Sequence, residues 1–237
     1  GYANSSTYRT CYNSLGCIAS CLDVTRQDHD DWCVGHEAGH NNQGVINLEG
    51  GTEVSNNLFS NFCRFLTGNV TSSGEALSNT MFEYAQGIPF AKRGGLMRMY
   101  YQLYLYYHLG QRNTSFFPEL FKELRRDPLT DRYKNTNNSS LKFVRKVCEI
   151  AQEDLTDFFE AWGFFKTCNN LKISDYGNYT MTVKISDINR TKATIAKYTR
   201  KNREILFVED RVDYVPRQGY FALPGKERRD SHLVGQC

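Results

Sequence analysis

Residues 36–40 read His-Glu-Ala-Gly-His, and no other stretch of this chain restricts its fold so tightly. Two histidines four positions apart lie on one face of a helix, one turn apart, where both imidazoles can grip a single metal ion. Glu37, beside the first of them, then sits at the rim of the same site, able to polarise a water. A tetrahedral centre of this kind needs a third protein ligand and a fourth position left for water. A chain with this motif must therefore make a helix here and bring another donor to it.

Two downstream glutamates compete for that place. Glu49 falls among Asn47, Gly50 and Gly51, in an expected loop where a carboxylate would be poorly held. Glu53 opens an apolar-periodic run with Val54, Leu58, Phe59, Phe62 and Leu66, read here as one helix. Thr52 or Ser55 could help to cap it, and a glutamate in its first turn complements the helix dipole. A helix-borne carboxylate is the more rigid ligand, which favours Glu53. Asn56 and Asn57 share its face. Asn57 is placed to accept a hydrogen bond from the non-ligating nitrogen of a metal-bound histidine, although both asparagines read equally well as solvated helix positions.

With these residues in place the stretch resembles the enhancin-like, mucin-degrading zinc peptidases, family sixty of the metallopeptidases and members of the gluzincins. Their signature is His-Glu-x-Gly-His, two further residues, a variable gap and a ligand glutamate. Gly39 fills the glycine position, Asn41 and Asn42 the two free ones, and residues 43–52 the gap. The resemblance implies Glu53 as third ligand, because the gap before Glu49 is shorter than the family tolerates. The runs Gly-Thr-Glu-Val-Ser-Asn-Asn-Leu-Phe-Ser at 51–60 and Asp-Leu-Thr-Asp-Phe-Phe-Glu-Ala-Trp-Gly-Phe at 154–164 also look like family blocks, so the likeness spans roughly residues 30–210.

The fold implied is α+β, a mostly helical gluzincin-type body followed by a small C-terminal module of mixed strand and helix. The expected division is a disulfide-rich segment at 1–27, a catalytic domain at 28–168 and the mixed module with its tail at 169–237. In 1–27, polar and rich in cysteine, we expect loops stapled by disulfides. The cluster Asp28-His29-Asp30-Asp31 is read as a cap for the histidine helix, and His29 as surface polar. Helices are expected at 75–86, 116–126, from Ser139 or Ser140, and at about 152–162. Leu96–Tyr107 is apolar or aromatic on nearly every face and lacks glycine, which predicts a buried helix stopped at Gly110. From residue 170 the pattern changes: 179–185 alternates like a half-buried strand, 187–200 looks helical and 205–208 reads as a short strand. The end after Pro224 is expected to be exposed.

Composition limits the partners. Hydrophobic content of 40%, with 15 Phe and 15 Tyr, is ample for a packed core. A net charge of +3 without a basic block argues against a nucleic-acid footprint. No run approaches the roughly 18 apolar residues of a membrane span, and no signal peptide remains. Eight cysteines without a Cys-x-x-Cys pair point to disulfides in an oxidising compartment rather than a zinc knuckle. Asn-x-Ser/Thr sequons at Asn4, Asn69, Asn113, Asn137, Asn138, Asn178 and Asn189 suggest the same place, outside the cytoplasm, secreted or at the cell surface. No Gly-x-Ser-x-Gly elbow competes for the chemistry.

The expected centre is a zinc ion, Zn2+, on His36, His40 and Glu53, with Glu37 as general base for peptide hydrolysis. Tyr100 or Tyr104 could bring a phenol to the oxyanion. Trp162 could stack on a sugar but reads better as core, and Trp32, Asn41, Asn42 and Arg98 are further candidates to read one. The resemblance implies glycoprotein substrates, especially mucin-type chains cut next to an O-linked sugar. It also implies strands before the zinc helix that hold the substrate by backbone pairing. About thirty residues precede the helix here, so an upstream domain or chain is expected to complete the cleft. Against the peptidase stand a glycan- or protein-binding module that keeps the zinc scaffold, which would have no need of Glu37, and a zinc peptidase indifferent to glycans.

Overall fold

The computed structural model describes residues 3–6, 9–23, 25–26, 30–67, 87–92, 96–129 and 139–200. The expected helix at 75–86, the strand at 205–208, the exposed end after Pro224, and Asp28 and His29 lie outside these residues.

The core forms around the run that has no polar face to turn to water. Every residue from Leu96 to Tyr107 is buried. It runs as helix α5, Leu96–Leu103, and continues as a wider π turn over Tyr104–Leu109 that ends at Gly110, whose N–H reaches the Leu105 carbonyl. Around it pack α6 (Phe116–Arg126), α7 (Ser139–Ala151) and α8 (Thr156–Ala161), which supply Phe116, Leu120, Phe143, Val147, Phe158 and Phe159 to one cluster. Trp162 is fully buried in it, its indole N–H donating to Gln102 Oε1 at 3.2 Å.

Before this bundle lie α1 (Leu15–Leu22), α2 (Asp31–Asn42), a four-residue turn of helix α3 (Thr52–Ser55) and α4 (Asn57–Leu66). The single helix expected from Glu53 is thus broken at Asn56. Residues 1–27 are more regular than expected. Ala3–Ser6 (β1) and Arg9–Tyr12 (β2) pair antiparallel, Ala3 opposite Tyr12, and α1 follows. β1 alternates among small, mostly polar residues, so it carries no hydrophobic signal. Among the described cysteines no pair stands at disulfide distance.

The helix expected at 152–162 is also shorter. Glu153–Asp154 is a strand, β3, and the Asp154 carboxylate accepts from Thr156 N–H (2.9 Å) and Oγ1 (2.5 Å), a local turn that competes with helix and delays α8. Cys168–Ser174 (β4) and Asn178–Val183 (β5) then form an antiparallel hairpin with Leu171 opposite Met181 and Ser174 opposite Asn178. Helix α9, Ile185–Ile195, precedes a short strand β6, Thr199–Arg200, which lies parallel to β3. No described helix is long and apolar enough to cross a membrane.

Candidate metal centre

Helix α2 begins where Asp30 can cap it: its Oδ1 accepts the Cys33 N–H at 2.9 Å. Asp31 in the first turn is buried and held by Arg64 (3.3 Å) and Thr67 Oγ1 (2.5 Å), which ties α2 to α4. Gly35 and Gly39 line the contact. A methyl group on Gly39 would stand 2.9 Å from Asn56 Cα and collide with its carbonyl oxygen; one on Gly35 would stand 2.8 Å from the Ser60 nitrogen. These are backbone atoms and cannot swing aside. The glycine at position 39 therefore lets the histidine helix press directly on the break between α3 and α4, three residues after Glu53.

His36, His40 and Glu53 meet there, one ligand atom from each lying within 4.8 Å of the others. Glu53 Oε2 is 3.2 Å from His36 Nε2 and 3.6 Å from His40 Nε2, so all three present donors to one point. His36 Nδ1–H donates to Asn57 Oδ1 at 2.7 Å, which leaves Nε2 as the free lone pair, and Asn57 Nδ2 in turn donates to the Glu53 carbonyl at 2.9 Å. The Gln43 side-chain amide bridges His40 Nδ1 (2.9 Å) and Ser55 Oγ (2.6 Å). Asn56, buried at the break, sets its Nδ2 3.0 Å from His36 Nδ1 and 3.1 Å from His40 Nε2.

Burial dominates the electrostatics. It holds the His40 imidazole below its ordinary range, an effect that Glu53 opposes and His36 reinforces, so the ring is kept in the neutral form a metal requires. Burial also lifts the Glu37 carboxyl above the ordinary carboxylate range; His36 draws it down and Glu53 pushes it up. Glu37 Oε2 is buried and has no hydrogen-bond partner among the described residues. Orphaned buried carboxylate oxygens are uncommon and call for an explanation, which a water or ion at the neighbouring donors would supply. The donor set, two imidazoles and one carboxylate with an unengaged second carboxylate beside them, fits a catalytic zinc.

Other candidates lie elsewhere. Glu49 is not a ligand, nor is it loosely held: it is buried, and Ser139 Oγ donates to its Oε1. Tyr100 donates its hydroxyl to the Ile46 carbonyl at 2.7 Å inside the core. The Tyr104 ring packs between Phe62 (5.2 Å) and His108 (5.3 Å). Neither phenol reaches the metal centre, since both are held by contacts within the body. The phenol at the centre is instead Tyr176, in the β4–β5 turn, whose hydroxyl donates to Glu53 Oε1 at 2.6 Å. Its neighbour Asp175 accepts from Thr52 N–H (3.3 Å) and Oγ1 (2.9 Å), so the cap of α3 comes from 123 residues away rather than from Thr52 or Ser55. Gln43 was within reach of sequence reasoning, three residues after His40 on the same turn. Asp-Tyr-Gly at 175–177 announces only a turn.

Of the residues considered for a sugar, Trp162 and Arg98 are buried, Trp32 lies under the Arg64 guanidinium, and exposed Asn41 and Asn42 bond Ser5 Oγ and the Ala38 carbonyl. A second cluster joins Cys21, Cys33 and Asp30 within 4.8 Å. There the two thiols hydrogen-bond one another, and burial pushes both up.

A family profile described as Peptidase M60, enhancin and enhancin-like, matches residues 1–163. A metallopeptidase in complex with Tn antigen superposes with a TM-score of 0.78 at 32% identity, over 89% of this chain and 41% of its own. A metallopeptidase from Bacteroides thetaiotaomicron gives 0.79 at 29%, over 94% and 39%. A protein of unknown function from Bacillus anthracis shares the fold, with a TM-score of 0.61 at 22% identity, over 86% and 38%. The chain thus spans about two-fifths of the length of these structures. None of the curated proteins matches it.

Proposed function

The chain belongs to the enhancin and enhancin-like M60 peptidases, and on that premise we propose that it is the zinc-binding part of a secreted endopeptidase that cuts O-glycosylated proteins. The observation that carries the reading is the convergence of His36, His40 and Glu53 beside a buried, unpartnered Glu37 oxygen.

His36, His40 and Glu53 would hold the zinc, which when bound supplies a Lewis acid to polarise the scissile carbonyl and make water acidic near neutral pH. The protein's own residues do the rest. Glu37 takes the proton of the attacking water on its free Oε2 and returns it to the departing amine, with no covalent intermediate. Asn57 holds the His36 imidazole in place by accepting from its far nitrogen, and the Gln43 amide packs against the far nitrogen of His40. A module that only binds would have no use for a desolvated carboxylate at this position.

The glycoprotein substrate is supported by the relative bound to Tn antigen. Secretion is supported by the eight cysteines and the seven sequons. Cys21 and Cys33 are the pair we expect to be joined, and non-reducing peptide mapping that finds both thiols free would set that pairing aside.

The test is cleavage of a mucin-type glycoprotein and its deglycosylated form by the wild type and by Glu37→Gln, with zinc measured in both. The expected result is cleavage of the glycosylated substrate alone, a fall in kcat of about a hundred- to ten-thousand-fold for Glu37→Gln, and equal zinc content. Zinc bound without cleavage of either substrate by the wild type would refute the peptidase reading for this chain; equal cleavage of both would remove the glycan from it.

A further inference from the structure

We propose that Tyr176 is a positioning residue of the metal centre: its hydroxyl occupies Glu53 Oε1, makes Glu53 a one-oxygen ligand and so keeps a coordination position open for water. The proposal rests on the zinc reading above.

The two oxygens of Glu53 do different things. Oε2 faces His36 Nε2 at 3.2 Å and His40 Nε2 at 3.6 Å, while Oε1 accepts from Tyr176 at 2.6 Å. Nothing on the glutamate's own element enforces that division. Its side chain is 48% exposed and is carried on a helix of only four residues. A carboxylate so placed can turn about its last bond and offer both oxygens to a cation, and a second oxygen would fill the place that hydrolysis needs for water. A donor fixed on Oε1 prevents this.

Tyr176 has no other evident reason to be there. It is 80% exposed, so its ring contributes little to the core. Its φ of 53° lies in the left-handed region, a conformation that costs a bulky side chain on the order of 1–3 kcal/mol and persists where surrounding structure enforces it. The surroundings do enforce it. Asp175 grips Thr52 through the amide and the hydroxyl, the Asp175 N–H closes the turn on the Gly177 carbonyl at 2.9 Å, and Ile173, two residues earlier, is buried against the body. The turn is thus anchored to the residue preceding Glu53 and presents the phenol to Glu53 itself. Both contacts are made by one hairpin, and together they fix the residue before Glu53 and the spare oxygen of Glu53.

The experiment replaces Tyr176 by Phe and loads wild type and variant with cobalt(II), whose visible absorption weakens and shifts as coordination rises from four to five. Zinc affinity is measured alongside by competition with a chromophoric chelator. Removal of an exposed hydroxyl should leave the melting temperature unchanged. The expected result is a variant spectrum moved towards five-coordination, together with a change of about 10- to 100-fold in zinc affinity or in cleavage rate. A cobalt spectrum and a zinc affinity identical to wild type would overturn the proposal while leaving the centre intact. A wild type that binds cobalt no better than Glu53→Gln would overturn the zinc reading itself, and the proposal with it.

Discussion

At the scale of the residue, Gly39 does more than fill a gap in a signature. Its missing side chain lets α2 lie on Asn56, the residue whose amide stands against both histidines and whose position breaks the helix before Asn57. Gly39→Ala should therefore lower stability by about 1–3 kcal/mol, because the atoms it meets are backbone. That corresponds to a fall of about 2–4 °C in Tm per kcal/mol for a chain of this size. Zinc affinity should fall with it as Asn56 is pushed away. Gly44→Ala is the control, since a methyl group there meets nothing within 4 Å. Equal melting of Gly39→Ala and Gly44→Ala would remove the close approach as the reason for the glycine. The site was legible in sequence where its logic is local. The four-residue spacing of His36 and His40 follows from one helical repeat. Tyr176 does not, because a single contact between distant residues leaves no period to read.

At the scale of the element, α6 and α7 are joined by charge as well as by the apolar core. Lys146 on α7 reaches Glu123 at 2.7 Å, Asp127 at 3.1 Å and Glu149 at 3.3 Å, and Lys142 reaches Asp127 at 2.5 Å. Arg126 first and Lys146 second hold the Glu123 carboxyl below its ordinary range; Lys142 and then Lys146 do the same for Asp127. A carboxyl whose folded pKa is depressed adds stability above its unfolded value, near pH 4, and loses it as pH falls through the folded one. Lys146→Met removes the shared cation and should narrow the difference in Tm between about pH 7 and pH 3, by lowering the neutral value more than the acid one. Parallel Tm profiles for variant and wild type would show that the pairing contributes nothing. Elements themselves were legible where apolar residues repeat, as in α5 to α7. They were not where a side chain bonds its own backbone, as Asp154 does before α8, or where a strand such as β1 alternates among small polar residues.

At the scale of the molecule, the question is which aromatic residues build the body and which remain for a ligand. Trp162 belongs to the body, with Phe158 packed against its edge at 6.3 Å and its N–H on Gln102. Trp162→Phe should cost about 1–3 kcal/mol through the lost hydrogen bond inside the core, seen in denaturant unfolding, without moving KM for a glycosylated substrate. A changed KM at unchanged stability would return Trp162 to the sugar. The sequence by itself determined the histidine helix, its capping by Asp30 and the depth of the 96–109 segment, since spacing and periodicity along one segment are enough for each. Only the tertiary structure decided that a C-terminal hairpin caps α3 and holds Glu53, that Tyr100 and Tyr104 face the core, and that the centre's phenol is Tyr176. The hairpin's contacts join segments 123 residues apart, and their pairing exists only once the packing of the intervening helices has brought the two ends together.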